Sequence, residues 1–148
     1  MFSRDDVVYT AGLLDGEGCV GLHKTDTSRR RFRYHLVVTI TNTNEDICEW
    51  LKLKFGGAVR FYEESKKRNS RHKDRYTWIK IRGQAAEFLK LVQPFCKLKS
   101  LQIENALLFQ SSFRKSPKGQ PKYLTEEEEA VREACRIVAC NLNLKGIT

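Results

Sequence analysis

The chain has 148 residues, a size typical of one domain, and 41% of them are hydrophobic. This apolar fraction, together with only three prolines, excludes a generally disordered chain. The 27 Lys and Arg exceed the 18 Asp and Glu, giving a formal net charge of +9. That excess favours a polyanionic partner, most often nucleic acid, with an anionic membrane surface as the alternative.

The positive charge is concentrated in the middle of the chain. Between Lys24 and Arg82 there are 16 Lys and Arg but only seven Asp and Glu, so this window holds the whole excess. No segment approaches the roughly 20 apolar residues that span a bilayer. The apolar stretch Val7–Leu14 follows two aspartates rather than a basic region, unlike a signal peptide. We therefore expect an intracellular protein that is not secreted and has no membrane partner.

The cysteines are odd in number and include no CxxC pair. They are Cys19, Cys48, Cys96, Cys135 and Cys140. Disulfide frameworks use even numbers, and structural zinc sites use closely spaced ligand pairs. We expect reduced thiols that mainly pack in the interior, in a reducing compartment, and no zinc site.

The first predicted element is a helix. Ser3 and Asp6 have the spacing of a capping box, and apolar residues recur at helical intervals over Val7–Leu14. Glycines at positions 16 and 18 predict its end. Gly12 and Gly16 lie on one face of this helix, so two copies of it are able to approach closely in a twofold pair.

A β-hairpin is predicted next, because the apolar period changes to two after Cys19. In its second strand, alternate positions are predicted to face a core. They are Phe32, Tyr34, Leu36, Val38 and Ile40. The intervening positions from Arg31 to Thr41 are mostly polar or basic and predict an outward face.

A second helix and a second hairpin follow. Asn44 is predicted as the N-cap of the helix, and the glycines at positions 56 and 57 as its stop. In the first strand of the hairpin, Arg60 and Tyr62 are predicted to face outward. In the return strand, the pattern leaves the register of Ile79 and Ile81 ambiguous.

Three helices complete the chain. They are predicted over residues 84–92, over residues 97–113 after Pro94, and from a capping box at Thr125 and Glu128 to about residue 138. The order α-β-β-α-β-β-α-α-α indicates an α+β fold, with an αββαββα core, a four-stranded antiparallel sheet covered on one side, and C-terminal helices. We predict a single domain over residues 1–148, with a core over about 3–113 and a C-terminal helical extension over about 123–140.

The uncovered face of this sheet and its two hairpin loops fall within the basic window. The sheet is therefore predicted to form a positive, saddle-shaped surface suited to a groove of double-stranded DNA. Its arginines suit guanine edges or phosphates, and its smaller polar groups suit lesser contacts. The predicted DNA-binding residues are His23, Thr25, Arg29, Arg30, Arg31, Arg33, His35, Thr39, Thr41, Arg60, Tyr62, Lys66, Lys67, Arg71, Arg75 and Thr77.

The run TAGLLDGEG at Thr10–Gly18 resembles the LAGLIDADG signature of homing endonucleases, with Thr10 for the first Leu and Glu17 for the second Asp. The resemblance continues in the ITNTN turn at residues 40–44, the paired glycines at 56 and 57, and the PFCKLK run at residues 94–99. It covers nearly the whole chain and is closest to the single-motif, homodimeric members.

The resemblance implies roles for individual residues. The implied catalytic residues are Glu17, Lys99 and Asn42, and the implied metal ligands are Glu17 and the backbone carbonyl of Gly16. The metal would be Mg²⁺, with Mn²⁺ able to substitute. Asp15 would be structural, tying helix ends together. The predicted dimer interface consists of Ala11, Gly12, Asp15 and Gly16. Asp46 stands where some close relatives carry an arginine, so another base, in the stretch 71–75, is expected to serve the outer part of the site.

The resemblance thus predicts a homodimeric, divalent-metal-dependent, intron-encoded endonuclease that cuts both strands of a near-palindromic site of roughly 20 base pairs. Short 3′ overhangs are expected, and the host would be an organelle or the cytoplasm of a prokaryote. The alternatives are an RNA splicing maturase, which alone requires an RNA partner, and a non-cleaving LAGLIDADG-like DNA-binding regulator. The presence of both Glu17 and Lys99 argues against pure binding, because a carboxylate near phosphates repels DNA without a metal.

Overall fold

The computed structural model describes residues 1–27, 31–63, 74–113 and 125–145, and not the side chains of residues 27, 31, 32 and 145. The helices and strands run in the predicted order, so the predicted α+β fold class is confirmed. In chain order they are α1 (Arg4–Glu17), β1 (Gly18–Thr27), β2 (Arg31–Asn42), α2 (Glu45–Phe55), β3 (Ala58–Tyr62), β4 (Arg75–Ile81), α3 (Arg82–Val92), a 3-10 turn (Gln93–Phe95), α4 (Ser100–Ser111) and α5 (Glu126–Lys145).

Helix α1 begins and ends where the sequence predicts. The Ser3 hydroxyl accepts the Asp6 N–H at 3.2 Å, and the Asp6 carboxylate accepts the Ser3 N–H at 2.8 Å, which completes the capping box. Thr10, the polar first residue of the motif, is fully buried because its hydroxyl donates to the Asp6 carbonyl at 2.7 Å. Gly18 passes directly from helix to strand, and a Cβ there would lie 2.7 Å from the Leu14 carbonyl oxygen.

The four strands form one antiparallel sheet in the order β1-β2-β4-β3. Its inner face packs under the helices, and the predicted inward positions with described side chains, residues 34, 36, 38 and 40, are all buried. Trp78 of β4 is fully buried opposite Ile40 and Val59, and its indole N–H donates to the Gly56 carbonyl at 2.7 Å. This contact settles the register of β4, so Ile79 and Ile81 face outward.

Four helix boundaries differ from the sequence prediction, one of them the end of α4, at Ser111 rather than residue 113. Helix α3 begins at Arg82, two residues early, because Arg82 takes a positive φ of 55° that turns the chain directly out of β4. Helix α4 begins at Ser100 rather than residue 97, since the N–H groups of residues 97–99 are bound by Asp15. Helix α5 continues to Lys145, and Asn143 in its last turn donates to the Val20 carbonyl at 3.1 Å.

Helix α5 is fixed to the sheet by a polar cluster around Glu133. The Tyr34 hydroxyl donates to its carboxylate at 2.7 Å, the Lys24 ammonium lies 3.1 Å away, and Arg136 on the same helix pairs with it. Hydrogen bonds from Arg136 and Tyr34 stabilise the charged form and lower the pKa of Glu133 to about 2. Glu133 is thus ionised in the folded chain down to unusually low pH.

Replacing Glu133 by Gln is expected to lower the free energy of unfolding by about 1–2 kcal/mol at pH 7, since three partners lose a charged acceptor. The pKa of Glu133 is depressed on folding, so its contribution is complete above the unfolded pKa of about 4.3 and is lost as pH falls towards 2. Denaturant unfolding of both proteins at pH 7 and pH 3 measures this. Glu87→Gln, which removes an exposed ion pair with Lys90, is the control expected to have little effect. An equal loss in both variants would contradict the prediction.

No helix in the described part of the chain is long and apolar enough to cross a membrane. All five cysteines are free thiols; three of them, Cys48, Cys96 and Cys135, are buried. Burial raises the pKa of each of these three thiols, so they pack as neutral side chains.

Candidate nucleic-acid interface and active site

The sheet face turned away from the helices, called here the outer face, consists of alternate strand positions. The register places Thr25 opposite Arg33, His23 opposite His35, and Thr41 opposite Thr77. The predicted DNA-binding residues that the register brings together on this face are His23, Thr25, Arg33, His35, Thr39, Thr41, Arg60, Tyr62, Arg75 and Thr77. Arg31 also occupies an outer position, but its side chain is not described. Arg29, Arg30, Lys66, Lys67 and Arg71 lie outside the described residues.

The outward strand positions of the outer face carry basic residues and no acidic ones in the described ranges. Arg75 lies over the Tyr62 ring at 5.8 Å, and the Thr41 and Thr77 hydroxyls are 3.0 Å apart. A surface of this kind, broad and free of negative charge, matches the phosphate backbone of a duplex.

His23 and His35 form a cross-strand ring pair on the outer face, with centroids 5.4 Å apart. Burial lowers the pKa of His35, and the charges of His23 and Arg82 lower it further. A neutral imidazole offers one donor and one acceptor, a combination that can contact base edges. Arg82 is not among the residues predicted for this surface, since the helix is predicted to begin after it, yet its charge reaches His35.

The exposed end of α1 brings two predicted catalytic residues together. Glu17 is the last residue of α1, and its carboxylate accepts a hydrogen bond from the Asn42 amide at 2.7 Å. The carbonyl oxygen of the same Asn42 amide accepts the Asn44 N–H at 2.8 Å, so both polar atoms of the Asn42 side chain are hydrogen-bonded. Because β1 follows α1 without a linker and pairs with the end of β2, the two residues are neighbours despite being 25 positions apart.

Asp15 fixes the position of the third predicted catalytic residue. Its carboxylate accepts the backbone N–H groups of Lys97 at 2.7 Å, and of Leu98 and Lys99 at 3.1 Å each. These bonds hold the segment before α4 against the end of α1. The positive charge of Lys99 reaches the Cys19 thiol, whose pKa is raised mainly by burial and is lowered by Lys99. The half-buried Lys99 therefore lies near Cys19, which is the second residue of β1 and follows Glu17 by two positions.

The predicted dimer interface needs one correction. Ala11 is completely buried in the chain's own core and presents no surface to a partner, because it lies on the side of α1 that packs under the sheet. Gly12 and Gly16 are exposed, and a Cβ on either would meet nothing within 4 Å. Val8 and Tyr9 extend this exposed face of α1 with apolar surface. A partner role for Asp15 stays a prediction, since the bonds seen for its carboxylate are all within the chain.

The end of α1 offers oxygen ligands of the kind that Mg²⁺ prefers. Glu17 is exposed, and the hydrogen bond from Asn42 occupies only one of its carboxylate oxygens. Carbonyls in the last turn of a helix, Gly16 included, lack intrahelical partners. No group of three or more potential ligands among His, Cys, Asp and Glu occurs in the described residues. The donor set thus fits a cation that takes one carboxylate here and completes its shell with phosphate and water.

This architecture, a four-stranded antiparallel sheet with its helices on one side, matches the fold of LAGLIDADG homing endonucleases. The similar solved structures include the homing endonuclease I-CvuI in complex with its target, with a TM-score of 0.69, 17% identity, and coverage of 95% of this chain and 82% of that one. The homing endonuclease I-TnaI has a TM-score of 0.59 at 17% identity, covering 97% and 87%.

An archaeal intron-encoded homing endonuclease, I-Vdi141I, complexed with DNA, has a TM-score of 0.59 at 16% identity and covers 96% of this chain and 99% of that one. At these identities the likeness establishes the fold. No protein-family model matches the chain, and no curated protein matches it in sequence.

Proposed function

We propose that this protein is a site-specific, intron-encoded DNA endonuclease that acts as a homodimer and requires a divalent metal. The observation that carries the proposal is the pairing of Glu17 with Asn42 at the exposed end of α1, at the border of a face without carboxylates. An acidic group placed alone beside a phosphate-binding surface weakens binding, so its presence there favours a catalytic use.

The size of the outer face supports a long recognition site. Strands β1 and β2 have 10 and 12 residues. At roughly 3.3 Å per residue they span about 33–40 Å, or on the order of ten base pairs at 3.4 Å each. Two copies related by a twofold axis would then cover about 20 base pairs, and the site would be near-palindromic for the same reason.

The chemistry that we propose uses each residue at the end of α1. A divalent cation supplies activation of water and neutralisation of charge on the phosphate. Glu17 and the Gly16 carbonyl would hold it. Asn42 orients the Glu17 carboxylate by donating to one of its oxygens, which leaves the other oxygen free for the cation. Lys99, held in place through Asp15, would stabilise the developing negative charge on the scissile phosphate.

A second copy of the chain would complete the site. Each chain carries one Glu17, whereas a double-strand break needs a cut on each strand. The exposed glycine face of α1 allows two such helices to meet with their backbones close together. Their Glu17 residues would then lie at the same end of the helix pair, beside the central base pairs.

The test is a cleavage selection. Purified protein and Mg²⁺ are incubated with a plasmid library of randomised near-palindromic sites, and the cut ends are sequenced. We expect a defined site of about 20 base pairs with short 3′ overhangs, and no cutting in EDTA. Binding without cutting would favour the regulator, and faster splicing of an intron RNA without DNA cleavage would favour the maturase; either result would overturn the proposal.

A further inference from the structure

Three aliphatic residues, Val37, Ile79 and Ile81, occupy outward positions on a sheet face that is otherwise polar or basic. An antiparallel sheet with one solvated face normally alternates apolar-in with polar-out, so consecutive outer positions with β-branched aliphatic side chains are unusual. None of the three belongs to the hydrophobic core cluster, which lies on the other side of the sheet. We call these three residues the aliphatic strip.

The strand register makes the strip continuous. Val37 lies directly opposite Ile81, and Ile79 is the next outward residue of β4, opposite Thr39. Val37 is only 8% exposed although it lies outside the core cluster, whereas Ile81 remains 43% exposed. On the other side of Val37 stands Gly21, which adds no side chain. The His23 ring lies over Gly21, with its Nε2 3.3 Å from the position of a Cβ there, so Ile79 and Ile81 are the accessible part of the strip.

The residues around the strip are basic or carry imidazole groups, as on a surface that binds nucleic acid. The His23–His35 pair lies next to it along β1 and β2, and Arg82 follows Ile81 in the chain with its charge acting on His35. No carboxylate occupies an outward strand position in the described ranges. An apolar patch embedded in positive charge complements a major groove in which base methyl groups are exposed between two phosphate backbones.

We propose that the aliphatic strip reads thymine methyl groups in each half of the DNA target. This inference rests on the proposed function and adds to it the identity of the bases at one part of the site. Val37 is five residues from Asn42 along β2, and Thr39, opposite Ile79, is three. At roughly 3.3 Å per residue and 3.4 Å per base pair, the strip lies about three to five base pairs outward from the catalytic end. The thymine C5-methyl is the one apolar group that the major groove presents.

The experiment uses the site obtained by cleavage selection, with thymines in this interval replaced by deoxyuridine, which removes only the methyl group. We expect affinity of the wild-type protein to fall about fourfold for each methyl that the strip contacts. Restoring a methyl as 5-methylcytosine in a cytosine variant of the same position is expected to recover part of that loss.

Ile81→Ser and Ile79→Ser are expected to bind thymine and deoxyuridine sites equally, and both are on exposed or half-exposed positions that tolerate Ser. Ile137→Ser on α5, where the side chain is 48% exposed, is the matched control and should keep the preference for thymine. A selected site without thymine in the interval, or equal wild-type binding to both sites, would overturn the inference and leave the endonuclease intact. Failure to select any DNA would overturn both.

Discussion

Glu17→Gln is expected to reduce DNA cleavage by at least about 10³-fold while leaving the fold intact, because an amide cannot supply the charge that holds a divalent cation. Glu17 is exposed, and Gln keeps an oxygen that can accept the hydrogen bond from Asn42, so no packing is lost. Cleavage of the selected site in Mg²⁺ under single-turnover conditions measures the effect.

DNA binding separates this catalytic role from a structural one. In EDTA, Glu17→Gln is expected to bind as tightly as the wild type or more tightly, since a negative charge beside the phosphates has been removed. Glu49→Gln, which removes an exposed carboxylate from α2, should change neither property. Asn42→Ala should reduce cleavage by a smaller factor than Glu17→Gln, because it frees the carboxylate without removing it. Full cleavage by Glu17→Gln would refute the proposed mechanism.

Gly12→Leu is expected to abolish both dimerisation and cleavage without unfolding the chain. In the single chain a Cβ at Gly12 meets nothing within 4 Å, and replacing a helical glycine by leucine favours the helix by about 0.8 kcal/mol. Stability of the monomer should therefore stay equal or rise. A partner helix packed on this face would instead clash with the new side chain. Sedimentation and thermal unfolding, measured on the same sample, report the two effects separately.

The chain offers a matched control in Gly83, a glycine of α3 with the same open surroundings. Gly83→Leu should leave sedimentation and cleavage unchanged. Gly12→Ala should give an intermediate loss of dimer, in proportion to the smaller side chain. If Gly12→Leu remained a fully active dimer, the helices would have to associate through another surface, and the proposed placement of the two Glu17 residues would be wrong.

Helix caps and strand alternation are predicted correctly because each depends on residues only a few positions apart in the chain. The capping box of Ser3 and Asp6 and the N-cap of Asn44 both form as predicted. The alternation in β2 correctly identifies the buried positions 34, 36, 38 and 40, although the aliphatic Val37 on the opposite face is also buried. Most of the helix ends follow glycines, caps or a change of period, all of which can be read along the chain.

The predicted catalytic residues could be named only from the resemblance and not from spacing, since they come from three distant segments. Glu17 and Asn42 meet because β1 pairs with β2, and the backbone of Lys99 is held at the end of α1 because Asp15 binds it. The resemblance implies both a structural role and an interface role for Asp15, and its bonds to three backbone N–H groups give a geometric basis for the structural role.

The sequence alone therefore determined the elements, the basic outer face and the acid at the end of α1, because periodicity, capping and charge are local properties of the chain. The tertiary structure decided what depends on pairing between distant segments. It placed Ile79 and Ile81 outward, since burial of Trp78 fixes the register of β4. It also buried Ala11, since packing under the sheet and not helical spacing selects which side of α1 stays open to a partner.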